Sequence, residues 1–368
     1  MRIYLETMGK MKKAALLLIV ALLLSEFSTG AQNTRRNFVI GFYNLENLFD
    51  IYDDPAKNDE QFLPEGANNW TKEKYEHKLK NMSHVIAKMA ESNGRWHTIL
   101  GISEVENRFV IEDLVSQPEI AAANYQIVHY DSPDRRGVDV ALLYNPTQFK
   151  LLGSESIPYT FFNDGSLKYN LTKKEKEYFR TRDILMVRGT IDREMFAFYV
   201  THLPSRVGGK GASLRSGGAL IIYRHAMKLM KEFPGIKIVV MGDMNDDPTD
   251  ESMAVHLHGK GELGKMDSTD FFNPFMSMLK DGFGSLCYQG TWSIYDQILV
   301  NYDLAHAEKR TLKIQPIGKN AYYGYIFKRP FMTTEKGRYK GYPFRTFTGG
   351  SFIGGYSDHY PTFIVVGK

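Results

Sequence analysis

Short β-branched and aromatic runs, each ending on a polar residue, recur along most of the chain. The first covers 38–43 and stops at Asn44; another covers 97–103 and stops at Glu104. Alternation marks further strands at 125–130, 138–144, 149–159, 183–191, 195–200, 236–241 and 291–300, and the chain finishes on an apolar run at 360–366. Tyr75, Leu79, Met82, Val85, Ile86 and Met89 fall at helical spacing, which predicts an amphipathic helix over 72–91. Thr71 is its expected N-cap, with a capping-box-like arrangement in the residues that follow. A short helix is expected to begin near 111–115 and a longer one over 214–233. Residues 249–281 read as helix or loop, 208–211 as a flexible loop, and 317–357 as a long loop rich in Gly, Tyr and Lys. Many strands with few long helices argue for a sheet-dominated α/β domain. No internal repeat and no linker divides the chain.

The N-terminus follows a different pattern. Lys12 and Lys13 precede an apolar stretch over 14–24, and Ser28-Thr29-Gly30-Ala31 offers small residues for cleavage before Gln32. Residues 1–31 are therefore expected to be an extension plus signal peptide, and 32–368 a single catalytic domain. The apolar run is too short for a comfortable membrane span. Export to the periplasm or beyond is expected, with no stable membrane insertion after cleavage.

Composition narrows the function classes. Hydrophobic content of 43% and charged content of 24% in 368 residues are those of a folded globular chain. Removing 1–31 takes away four cations and two anions, so the net charge drops from +4 to +2. No general basic surface for gripping a polyanion is evident. One cysteine, Cys287, excludes an internal disulfide and a cysteine-based zinc cluster. There is no Walker loop, GxGxxG, HExxH or GxSxG motif.

The polar residues at strand ends carry the candidate chemistry. They are Asn44, Glu104, His202, Asp243 with Asn245, Asp296, and Asp358 with His359. Asp243 and Asn245 point the same way if the extended backbone continues through Met244. Each residue alone has an ordinary structural reading as a turn or surface group. Together they share a place in the pattern, because a sheet gathers its strand ends at a common rim. Oxygen donors with few free carboxylates suit Mg²⁺ or Mn²⁺, and two histidines suit proton transfer or contact with anionic oxygen.

Seven segments, in this order, resemble the motif set of the endonuclease/exonuclease/phosphatase superfamily. They are Phe42-Tyr43-Asn44-Leu45-Glu46-Asn47, Gly101-Ile102-Ser103-Glu104-Val105-Glu106-Asn107, Arg136-Gly137-Val138-Asp139-Val140-Ala141, Val200-Thr201-His202-Leu203-Pro204-Ser205-Arg206, Met241-Gly242-Asp243-Met244-Asn245, Tyr295-Asp296-Gln297-Ile298-Leu299-Val300 and Tyr356-Ser357-Asp358-His359-Tyr360-Pro361. The resemblance implies a four-layered α/β/β/α sandwich of two packed, mainly antiparallel sheets, with a metal-dependent phosphoesterase site at one rim. It implies metal binding by Asn44 and Glu104, with Asp358 close to the metal. It implies that Asp243 and Asn245 orient the attacking water, that His202 stabilises phosphate or leaving oxygen, and that His359 pairs with Asp296. Arg136 and Arg206 are candidates to meet phosphate. Gln297 departs from the His common at its position, and Glu46 and Glu106 place negative charge where nucleases of the family often carry Arg.

The expected activity is a Mg²⁺- or Mn²⁺-dependent hydrolysis of phosphate esters, with DNA or RNA as the first substrate class. A phospholipid or phosphoinositide-type phosphodiesterase or phosphatase is the alternative, and a non-catalytic binding protein on the same scaffold the third reading. Tyr322, Tyr323, Tyr325 and Phe327 are candidates for base stacking or lipid contact.

Overall fold

The computed structural model describes residues 36–206, 209, 211–319 and 321–368. The expected signal peptide and much of the 208–211 loop lie outside the described residues. In chain order the strands are β1 (Asn37–Leu48), β2 (Ile99–Val105), β3 (Gln126–His129), β4 (Asp139–Tyr144), β5 (Phe149–Ile157) and β6 (Ile184–Ile191). They continue with β7 (Glu194–His202), β8 (Lys237–Asp243), β9 (Gly259–Lys260), β10 (Phe271–Phe272), β11 (Leu286–Tyr288) and β12 (Thr291–Ser293). The last are β13 (Asp296–Asn301), β14 (Lys313–Gln315), β15 (Gly324–Ile326), β16 (Phe347–Thr348), β17 (Ser351–Phe352) and β18 (Thr362–Gly367). The α-helices are α1 (Lys72–Asn93), α2 (Arg108–Val115), α3 (Lys173–Tyr178), α4 (Gly211–Glu232), α5 (Phe275–Lys280) and α6 (Tyr302–Ala305).

Two seven-stranded sheets form the centre. One has the order β14-β18-β1-β2-β4-β3 with β15 also on β18; the other runs β5-β6-β7-β8-β13-β10-β9. Both are mixed but mainly antiparallel, the parallel pairs being β1 with β2, β7 with β8 and β9 with β10. The strand pattern's sheet-dominated α/β domain is thus realised as the α/β sandwich that the resemblance implies.

Strand alternation decides what each face buries. On β7, Phe196, Phe198 and Val200 join the core between the sheets, while Ala197 and Tyr199 face a second core with Ala219, Ile222 and Ala226 of α4. On β8, Val239 and Met241 take the inner face and Ile238 and Val240 the helix face. Helix α1 packs its stripe of Tyr75, Leu79, Met82, Val85 and Ile86 into the first core. Each such side chain contributes about 1.5–3 kcal/mol on burial. Gly101 lets the sheets close up, since a Cβ there would stand 2.6 Å from Met241 Sδ.

Local chemistry corrects several element boundaries. Thr71 does occupy the N-cap of α1, but its side chain caps no backbone N–H. The complete capping box belongs to α3, where Thr172 and Glu175 exchange bonds. The expected strand over 291–300 breaks between Ser293 and Asp296, and the intervening Tyr295 carbonyl accepts the Met244 N–H at 2.8 Å. Within 317–357, Gly324–Ile326 pairs with β18 as an edge strand and the β16–β17 hairpin follows. No helix among the described residues is long and apolar enough to cross a membrane.

One buried histidine makes the fold sensitive to acid. His97 is fully enclosed against Gly41, its Nε2 has no partner, and burial pushes its pKa down to about 4. The unfolded chain takes up this proton near the ordinary value of 6.5 while the folded chain resists it, so this group lowers stability as pH falls from about 6.5 to about 4. Between pH 7 and pH 5 the loss amounts to about 2 kcal/mol. Urea denaturation at the two pH values should show His97→Phe losing less stability than wild type by about that amount.

Candidate active site

The register of three adjacent strands assembles half of the site. His202 at the end of β7 is paired with Asp243 at the end of β8, and Asp243 with Asp296 at the start of β13. All three share the parity of the inner-face apolar residues on their strands, so they extend the inter-sheet core to its rim as polar groups. Gly242 allows this close pairing: a Cβ there would lie 2.1 Å from the Thr201 carbonyl oxygen.

The opposite sheet supplies Asn44 and Glu104. Asn44 on β1 is in register with Ser103 on β2. Beyond it β2 bulges, and Glu104 takes a left-handed φ of 59°. Bulges at strand ends re-aim side chains, and a non-glycine residue in this region stores strain of order 1–3 kcal/mol. Here the bulge turns Glu104 toward the cleft. Its Oε2 accepts the Asn47 N–H at 3.0 Å and its Oε1 accepts Asn44 Nδ2 at 3.2 Å.

The cluster spans both sheets. Asn44 Nδ2 also donates to Asp243 Oδ2 at 3.0 Å. His202 Nε2 lies 3.7 Å from Glu104 Oε1 and 3.6 Å from Asp243 Oδ2. His359 Nε2 approaches Asp243 Oδ2 to 3.9 Å, while its Nδ1 is 2.7 Å from Asp296 Oδ2. Ser285 donates its hydroxyl to that same Asp296 oxygen at 2.6 Å. The segment carrying His359 is pinned to β1 by Ser357 Oγ, which donates to the Asn44 carbonyl at 2.7 Å.

Burial sets the charges. It holds His202 well below the ordinary imidazole value, with help from Arg182 and Arg136 nearby, so His202 is neutral. Burial also pulls on His359, but the carboxylates of Asp296 and Asp243 outweigh it and hold that ring protonated. Asp243 is raised by burial, against the lowering effect of His359.

The donor set fits a hard divalent cation. Ligand atoms of Glu104, His202 and Asp243 lie within 4.8 Å of one another. Glu104, at 15% exposed, is open to solvent where the other two are buried, as a cation that retains waters requires.

Three sequence expectations change. Asn44 sits in the cluster, yet its Oδ1 is occupied by the Glu46 N–H at 2.8 Å and its amide nitrogen faces the carboxylates. It ties the two carboxylates together as a hydrogen-bond donor. Asn245 does not continue an extended strand: its φ is 50°, its N–H bonds Asp243 Oδ1 at 2.9 Å, and its Nδ2 turns away to the Leu203 carbonyl at 3.0 Å. Arg206 spends its guanidinium on the Asn245 carbonyl and on Asp246 and Asp250, so it braces the turn after β8. Arg136, 48% exposed and 3.8 Å from Asp134, keeps its charge toward the His202 side of the rim. Asp358 lies 3.9 Å from His359 Nε2, with its other oxygen taken by Arg345 at 2.9 Å.

Four supporting residues were not anticipated. Buried Lys78 donates to Thr346 Oγ1 at 2.5 Å and to the Tyr356 carbonyl at 2.7 Å, and stands 3.9 Å from Glu46. Arg345 reaches Glu46 at 3.1 Å, so the negative charge of Glu46 is compensated. Arg182 holds the His202 and Leu203 carbonyls and pairs with Asp134 at 3.1 Å. Ser285 completes the chain to His359. Of these, Lys78 had a visible signal: a charge on the apolar stripe between Tyr75 and Met82. Gln297, where histidine was expected, is a buried strut between Asn273, the Asp246 carbonyl and the Ile294 carbonyl. Burial pushes Glu106 up to about 8, and it accepts the Asp50 N–H at 2.7 Å.

The chain matches the model of the Endonuclease/Exonuclease/phosphatase family over residues 39–368. No curated protein matches it in sequence. Among solved structures it is similar to an endonuclease/exonuclease/phosphatase family protein from Bacteroides thetaiotaomicron, with 13% identity over 90% of this chain and 95% of that one and a TM-score of 0.53. It is similar also to D. rerio TDP2 complexed with single strand DNA product, at 11% identity, 90% and 99% coverage and a TM-score of 0.51. A functionally unknown conserved protein from Enterococcus faecalis V583 gives 14% identity, 90% and 100% coverage and a TM-score of 0.51. At these identities the likeness is one of fold.

Two substitutions test this geometry. Glu104→Gln should weaken Mn²⁺ binding about 10-fold or more in calorimetric titration, with the circular dichroism spectrum unchanged. Lys78→Met leaves Glu46 without its buried cation and should destabilise the protein by about 3–5 kcal/mol in urea unfolding.

Proposed function

This chain belongs to the endonuclease/exonuclease/phosphatase family, and on that premise we propose that it is a divalent-metal-dependent phosphodiesterase acting on nucleic acid. The observation that carries the reading is the meeting of Glu104 and Asp243 with neutral His202 and the protonated His359–Asp296 pair at one rim. Glu104 and Asp243 would hold Mg²⁺ or Mn²⁺, which when bound polarises a phosphoryl oxygen and screens the charge of the phosphodiester. Asp243 orients the water that attacks phosphorus. His359 turns Nε2 toward the phosphate because its Nδ1 is committed to Asp296, itself fixed by Ser285. His202 approaches from the other side of Asp243 as an uncharged donor. Such preorganised charge accounts for much of the rate in enzymes of this kind.

Nucleic acid is favoured over other phosphate esters by the D. rerio neighbour on the same fold, whose structure contains a single strand DNA product. Exposed Arg136 would meet a strand phosphate in this reading. The N-terminal segment supports export, so the substrate would be met outside the cytoplasm.

Hydrolysis of bis(4-nitrophenyl) phosphate and of single-stranded DNA should require Mg²⁺ or Mn²⁺ and stop in EDTA. His359→Ala and Asp243→Asn should each lower kcat about 100-fold or more while the fold is kept. Turnover that persists in EDTA, or wild-type rates in either variant, would remove the proposal.

A further inference from the structure

A cavity of about 600 Å³ opens on the flank of the molecule between α5, the β11–β12 hairpin and the 317–328 segment. Its lining includes Phe283, Trp292, Tyr322 and Tyr325 together with Lys319 and Lys328. The volume is in the range of small-molecule sites and exceeds what one amino-acid side chain would fill.

Its position ties it to the rim. Gly284 forms part of the wall, where a Cβ would come within 2.7 Å of the Trp292 ring. The next residue, Ser285, donates to Asp296 and accepts the Tyr360 N–H at 2.7 Å. Trp292 stacks on Tyr360 with ring centroids 6.2 Å apart and planes 11° from parallel. The cavity wall and the bonds that orient His359 therefore share one turn and one ring stack.

Its chemistry is aromatic and cationic together. Lys328 Nζ stands 4.5 Å from the Trp292 centroid and 5.3 Å from that of Tyr360. Neither Lys328 nor Lys319 has an ion-pair partner among the described residues. Flat walls select a planar ring, which stacks on aromatic side chains, and free ammonium groups select an attached anion. An aliphatic chain would gain from the walls but not from the lysines.

We propose that this cavity is a base subsite, taking the nucleobase of a nucleotide unit next to the scissile phosphate, with Lys319 and Lys328 on that unit's own phosphate. The inference rests on the nucleic-acid reading above and adds to it where the substrate strand lies. It also gives Tyr322 and Tyr325 a base-stacking part, and leaves Tyr323 and Phe327 outside the cavity wall.

Tryptophan fluorescence tests it on the full-length protein without added metal. Adenosine 5′-monophosphate should quench saturably, ribose 5-phosphate should bind about 10-fold more weakly or worse, and octanoate should have no effect. Trp292→Phe should remove the quenching, and Tyr322→Ala and Lys328→Ala should each weaken it, Tyr322→Ala by about 10-fold or more. Absent quenching, equal response to ribose 5-phosphate, binding untouched by Tyr322→Ala, or a response to octanoate alone would overturn the subsite. In parallel, hydrolysis of bis(4-nitrophenyl) phosphate with Mn²⁺, stopped by EDTA, reads the chemistry of the rim in the wild-type protein. Turnover without nucleotide binding sinks the subsite and leaves the phosphodiesterase standing. Nucleotide binding with no turnover in any sample sinks the phosphodiesterase and keeps the cavity as a nucleotide site.

Discussion

The pairing of β7, β8 and β13 in fixed register is the constraint from which the site follows. Backbone hydrogen bonds place His202, Asp243 and Asp296 side by side, and period-two alternation sends all three toward the opposite sheet. A one-residue slip of β8 would send Asp243 to the helix face and bring Gly242 to the cleft. Apolar residues of the same parity, Val239 and Met241 among them, make that slip costly because they would leave the inter-sheet core. Hydrophobic packing and catalytic geometry are thus enforced by the same alternation.

A rim built this way gathers carboxylates in a poorly solvated place, and the surrounding cations answer that cost. Glu46 is flanked by Lys78 and Arg345, Asp358 by Arg345, Asp134 by Arg182, and Asp243 and Asp296 share His359. Glu104, the acid at the centre, accepts hydrogen bonds from Asn44 and Asn47 and contacts uncharged His202, with no Lys or Arg salt bridge among the described residues. This acid without a direct Lys or Arg partner stands in the cluster whose donor atoms fit a divalent cation.

Much of this was legible in the chain because strand ends carry a periodic signal. Asn44, Glu104, His202, Asp243, Asp296 and His359 each follow or open an apolar run, and alternation predicts the facing of His202, Asp243 and Asp296, whereas a bulge aims Glu104 and His359 precedes β18. What the pattern hides is backbone curvature. Asn245 reads as an extended neighbour of Asp243, but a left-handed turn sends its amide to Leu203 instead. The run through Trp292 and Ile298 reads as continuous, but it is cut where Tyr295 bonds Met244 across the sheet. Residues such as Ser285 and Arg345 act through partners hundreds of positions or a separate loop away, and spacing along the chain carries no trace of those meetings. Lys78 is the exception, since a cation inside an apolar stripe implies a buried partner.

The stretch after β15 leaves and re-enters the sheet at one gate, where the Phe327 N–H bonds the Pro361 carbonyl at 2.8 Å. Everything from Arg345 to His359 lies outside the main ladders, anchored by the Asn44 carbonyl and the Glu46 side chain of β1 and by Lys78 of α1. The floor of the cleft is therefore made of paired strands, whereas the wall that carries His359 is held by side-chain bonds and packing. His359 thus reaches Asp296 from a length of chain that no main ladder holds, so the two partners of one short contact are secured by different kinds of bond.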